Sequence, residues 1–139
     1  MPTNTAAHVA RAHPLQVVNY LRKTVNYNDP NIATGVPFGA YLPAGASILM
    51  AKVFIKTAFN AVTTNVLTVG QNGSSYNDIV NASDVDETTA SRSTIVFRGA
   101  DLDLSGGDAL PYVKYTQTGT AATAGVAEIP LLYTNTTDP

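Results

Sequence analysis

The side chains that could do chemistry fall in three short runs. In "DLDLSGGD", Asp101, Asp103 and Ser105 stand at alternate positions, and Gly106 follows where a calcium-binding loop needs its sharp turn. The twelfth position of that loop is Tyr112, so the bidentate glutamate of an EF-hand is missing. At most a weak oxygen-ligand site completed by Asp108 is left, and an Asp/Gly-rich turn is the simpler reading. In "DVDETT", Asp84, Asp86 and Glu87 offer carboxylates of the kind that do acid–base work on sugars. No second acidic cluster faces them in an identifiable way, and the run reads as a solvated loop. His8 and His13 lack a third metal ligand. The chain has no cysteine, hence no thiolate nucleophile, zinc–thiolate site or disulfide, and it has no G-x-S-x-G nucleophile elbow. The expectation is a protein without catalytic residues, metal or cofactor.

The elements that would hold such residues are strands. Ala, Thr, Val and Asn are abundant, which favours short strands joined by polar turns over long helices. "QVVNYLRKTVNYN" reads as a strand on its β-branched content, although Val17, Leu21 and Val25 also recur at helical spacing. "DPNIATGVPFGAYLPAG" is broken by prolines and glycines into connected turns. Further strands are expected at "VLTVG", "YNDIV", "STIVFRG", "YVKYTQT" and "TAGVAEIPLLYT", about eight in all, with turn signals every 8 to 12 residues. Pro130 inside the last run implies an edge strand, since a proline cannot donate to a ladder. The fold class is all-β: a jelly-roll-like antiparallel β-sandwich over residues 16–139, preceded by an extended N-terminal arm at 1–15.

Charge limits the partners. Only 13% of the residues are charged and the net charge is -2, so the chain lacks the basic field that binds nucleic acid or an anionic membrane surface. It has no apolar run long enough for a membrane-spanning helix and no leader-like N-terminus, which sets the expectation of a protein made and folded in a cytosol.

The most informative strand runs from Ser47 to Thr57 within "LPAGASILMAKVFIKTAFN". At period two, Leu49, Ala51, Val53 and Ile55 form a core face, while Ile48, Met50, Lys52, Phe54 and Lys56 share the other. Large apolar groups in water would leave a sticky patch, and full burial would drag lysines into a core. A cover that touches Met50 and Phe54 while the lysines reach solvent resolves the conflict. That cover is the chain's own arm or another subunit, and either points to an assembly protein.

The run "LPAGASILMAKVFIKTAFNAVTTNVLTVGQNGSSYNDIV", with "TVNYNDPNIATGVPFG" before it and "DALPYVKYTQTGTAATAGVAEIPLLYT" after it, resembles small structural proteins encoded beside the major capsid protein of tailed bacteriophages. In particular it is similar to jelly-roll cement, or head decoration, proteins of the Bordetella phage type. The resemblance spans residues 24–134 and rests on the combination of "LPAG", "TAFN" and "TAG.A". It implies a virion component without a reaction, a homodimer on the outside of the capsid that clamps adjacent major capsid subunits. The residues expected to touch partners are Arg11 in the arm, Phe38 and Tyr41 in the Pro/Gly loop, and Met50 and Phe54 on the lysine-bearing face. The alternatives are a tail or head–tail joining component, and a sugar-binding module that would stack glycans on some of the seven tyrosines.

Overall fold

A computed structural model describes residues 18–71, 76–97 and 109–135. Arg11, the two histidines and the "DLDLSGGD" loop lie outside them. Among the described residues seven strands form: β1 (Val18–Asn26), β2 (Val36–Pro37), β3 (Ala46–Thr57), β4 (Thr64–Gly70), β5 (Arg92–Phe97), β6 (Tyr112–Thr118) and β7 (Val126–Asn135). They make two antiparallel sheets, a four-stranded one ordered β1-β7-β3-β5 and a three-stranded one ordered β2-β6-β4. Successive strands alternate between the sheets, so each crossing closes the sandwich, and the order is that of a jelly roll with one strand fewer in the second sheet. The missing strand has a remnant. "YNDIV", expected as a strand, instead returns along β4 by a single antiparallel bridge, Val69 to Val80, with Val80 and Ile79 both bonded to the Val69 backbone.

Period-two burial builds the core between the sheets. Ala51, Val53 and Ile55 of β3, Ala127, Ile129 and Leu131 of β7, Leu67 and Val69 of β4, and Val113 and Tyr115 of β6 all point inward. Fully burying each large apolar side chain contributes about 1.5–3 kcal/mol. β3 does not keep one phase along its length. Ile48 is buried and Leu49 is exposed, because the register to β7 shifts between Ile48 and Met50. Such a bulge lets Ala46 and Ile48 enter the core before the break and Ala51 after it, so Ile48 and Leu49 exchange the faces that strict alternation assigns them.

β7 is not an edge. It lies between β1 and β3, with Pro130 opposite Arg22 on the β1 side. On the β3 side the register passes from Ala51–Leu131 to Phe54–Glu128 and is interrupted at the positions between, where Pro130 has no donor to give. The sheet accepts that gap because the other face of the same segment buries Ile129 and Leu131 completely.

The loops at one end are tied by an asparagine. Asn60 Oδ1 accepts the backbone N–H groups of Thr123 at 2.8 Å and Ala124 at 3.0 Å, and its Nδ2 donates to Thr123 Oγ1 at 2.9 Å. Asn60 thereby joins the β3–β4 loop to the β6–β7 loop. Asn60→Ala is expected to cost about 1–2 kcal/mol, read as a lowered midpoint in urea with an unchanged slope.

A candidate docking face

The outer face of the four-stranded sheet follows from the registers. Tyr20 on β1 lies opposite Leu132 on β7, Leu132 opposite Met50 on β3, and Met50 opposite Phe97 on β5. Residues directly opposite in an antiparallel pair point to the same face, so these four side chains form one apolar row across the whole sheet. Tyr20 is 64% exposed and Phe97 70% exposed at its two ends, with Met50 and Leu132 half-buried between them. Ile95, 50% exposed, lies beside Lys52 in the next row, whose far end holds Pro130 opposite Arg22. A third row runs Thr24, Glu128, Phe54, Ser93.

Of the two lysines on this face, Lys56 is paired with a carboxylate that lies beside it. Glu128 Oε2 receives Lys56 Nζ at 2.8 Å, and its Oε1 lies 3.4 Å from Arg22 Nη1. The Lys56 hydrogen bond, with the Lys56 and Arg22 charges behind it, holds the Glu128 carboxyl below the usual glutamate range. These contacts lie in water and contribute little to stability, but they place the charges on the face. Lys52 makes no ion pair among the described residues.

Met50 and Phe54 sit where the sequence puts them, half-buried on this face. Tyr41 is exposed near the Leu42–Ala109 bridge, remote in the chain from that face. Phe38, expected as a contact, is instead 8% exposed and packed into the core, held there as its N–H bonds to the Pro111 carbonyl at 2.9 Å. Sequence reasoning missed Tyr20, Leu132, Ile95 and Phe97. Each follows or precedes a more buried residue along its strand, but nothing local shows that they line up with Met50.

The acidic run divides. Asp84 accepts the Asn81 N–H at 2.8 Å, and Asp86 accepts both hydroxyls and an N–H from Thr88 and Thr89, which holds it below the ordinary aspartate range. Those two are turn-forming carboxylates. Glu87 is not a solvated loop residue: it is 5% exposed, and its Oε1 accepts the Leu67 N–H at 2.7 Å. Burial pushes its carboxyl above the usual range, partly offset by that N–H. Near it, burial and the Glu87 charge raise the Tyr115 phenol, whose hydroxyl donates to Asn65 Oδ1 at 2.6 Å. The arrangement is a satisfied core network; Asp86, the nearest carboxylate in sequence, is engaged by threonines. Among the described residues no group of three or more His, Cys, Asp or Glu could hold a metal ion.

The outer face of the other sheet is polar. Thr68, Thr116, Lys114, Tyr76 and Asn77 line an open groove of about 340 Å³. Its one aromatic wall is already used, since the Lys114 ammonium lies 5.2 Å from the Tyr76 ring centre and Tyr112 meets the same ring edge-on at 6.0 Å.

No protein-family model matches the sequence, and no curated protein matches it either. Two solved structures share the fold. A chain in the capsid asymmetric unit of cyanophage Pam1 superimposes with a TM-score of 0.62 at 19% identity, over 84% of each chain. A chain in the capsid of Ralstonia phage GP4 does so with a TM-score of 0.60 at 18% identity, over 88% of this chain and 86% of that one. At such identities the likeness establishes the architecture: this jelly-roll sandwich is similar to chains found in the capsids of two phages.

Proposed function

We propose that the protein is a structural component of a tailed-phage virion that binds the outside of the capsid and holds adjacent major capsid subunits together, without catalysing a reaction. The apolar row from Tyr20 to Phe97 carries this reading, because a face of that kind is built to be covered by another protein. The shared architecture with two phage capsid chains supports it. In this reading the chain is made in the host cytoplasm, docks as a homodimer, and uses the arm at 1–15, with Arg11, as a second contact. A protein that binds the assembled shell and not the separated subunits stabilises the shell by mass action, about 2.7 kcal/mol per site at a hundredfold excess over Kd. Many copies sum that effect.

The test mixes purified protein with capsid shells that lack it and follows binding and the temperature of shell disruption. Saturable binding at many copies per shell with a raised disruption temperature is expected. Absence from shells, with the protein found in tail fractions, would move the same fold to a tail or head–tail role.

A further inference from the structure

Resting on the capsid-binding reading, we propose that the outer face of the β1-β7-β3-β5 sheet docks an apolar protein surface rimmed by carboxylates, and that neither a second copy of this chain nor its own arm is the occupant. Charge is the first argument. Among the described residues three cations, Arg22, Lys52 and Lys56, share the face with one carboxylate, Glu128, so the face is positive on a chain whose net charge is -2. A second copy applied face to face would set these cations against their own kind. Residues 1–17 hold Arg11 and two histidines and no acidic residue, so they bring more of the same sign. A partner with Asp or Glu around an apolar centre matches both features, and like-charge juxtaposition rejects the other two.

Size is the second argument. Four strands about 4.8 Å apart and four rows about 6.8 Å apart make the face from the Val18 row to the Thr24 row about 19 by 27 Å. That footprint, about 500 Å², is short of the roughly 800 Å² per partner of a stable pairwise interface. It suits one of several contacts summed over a lattice, where a weak contact is multiplied by effective concentration. It does not suit the sole seam of a dimer.

The row also divides the labour within the face. Phe97 and Tyr20 are the most exposed large apolar side chains of the face and are the anchors; aromatic anchors carry most of the energy in such contacts. Lys52, lying between Met50 and Phe54 on β3 and opposite Ile95, sets partner choice and the dependence on salt.

The experiment compares the wild type with Phe97→Ser, Lys52→Glu and, on the opposite sheet, Lys114→Glu. After unchanged melting temperatures are verified, each is titrated onto capsid shells lacking the protein, onto tail fractions and onto anionic vesicles, at low and high salt. Phe97→Ser and Lys52→Glu are expected to bind shells about tenfold or more weakly. Lys52→Glu should also lose most of the salt dependence, and Lys114→Glu should match the wild type. Equal shell binding by all four proteins overturns the docking face and leaves the capsid reading standing. Wild-type binding to tails alone, with the same ranking of variants, overturns the capsid reading and keeps the face. Two outcomes overturn the choice of occupant: a wild-type dimer in sedimentation that Phe97→Ser dissociates, or vesicle binding that Lys52→Glu abolishes. Wild-type binding to neither shells nor tails overturns both proposals.

Discussion

Gly125→Ala is expected to destabilise the protein by about 3–5 kcal/mol, a large share of the roughly 5–15 kcal/mol that holds a domain of this kind folded. Gly125 enters β7 at φ 150°, a conformation that L side chains rarely adopt, and strain there costs about 1–3 kcal/mol. A methyl group would also press into the Phe59 ring, reaching 2.7 Å from Cγ and 2.8 Å from Cε1. Phe59 has nowhere to go. It is buried, and its ring packs on Tyr115 at 4.6 Å with the Tyr115 hydroxyl fixed on Asn65. Moving Gly125 instead would break the bond its carbonyl receives from the Tyr27 N–H at 2.9 Å, which seats the end of β1 beside β7. Gly39→Ala is the control, since Gly39 has φ 90° and nothing within 4 Å of an added methyl. Chemical denaturation of both variants separates the terms: Gly39→Ala reports backbone strain alone, and equal losses would refute the ring clash.

The parts of this fold that local pattern encodes were legible. "YVKYTQT" alternates cleanly and stops at Gly119, and it is β6 from Tyr112 to Thr118. The unease of lysines beside Met50 and Phe54 marked a face that does lie outside the core. What could not be read was set by partners distant in the chain. Ile48 and Leu49 are both apolar, so the phase change between them leaves no trace in composition; only the pairing with Tyr133 and then Leu132 reveals it. Pro130 signalled a lost donor correctly, but strand position depends on total burial, and Ala127, Ile129 and Leu131 outweigh one interrupted stretch of ladder. Phe38 was judged by the Pro/Gly loop around it, whereas β6 pulls that loop inward. The docking row is the same lesson in function. Met50 was visible, but Tyr20, Leu132 and Phe97 become its neighbours only through three strand registers.

Glu87 is where a misread residue gives a second large effect, one whose size depends on pH. Glu87→Ala removes the acceptor for the buried Leu67 N–H and leaves a gap, which together cost about 2–4 kcal/mol. Burial raises the folded-state carboxyl above its ordinary value near 4.5, so between the two values the folded state binds the proton more tightly than the unfolded chain does. The stability that Glu87 contributes is therefore full below about pH 4.5 and is lost as pH rises through the folded value. Glu128 and Asp86, both held low, act in the opposite sense: their contribution is present above their ordinary values and is lost as pH falls below them. The two windows lie on opposite sides of the ordinary carboxylate range, so they can be read separately. Urea midpoints from about pH 4.5 to about pH 8 are expected to fall for the wild type and to stay flatter for Glu87→Gln, whose amide oxygen keeps the Leu67 bond without the charge. Glu87→Ala should then cost more at the acid end than at the alkaline end, because only at the alkaline end does it also relieve a buried charge. A wild-type midpoint that rises across this interval, or a Glu87→Gln profile parallel to it, would place the carboxylate in contact with water and remove the core network from the account of this fold.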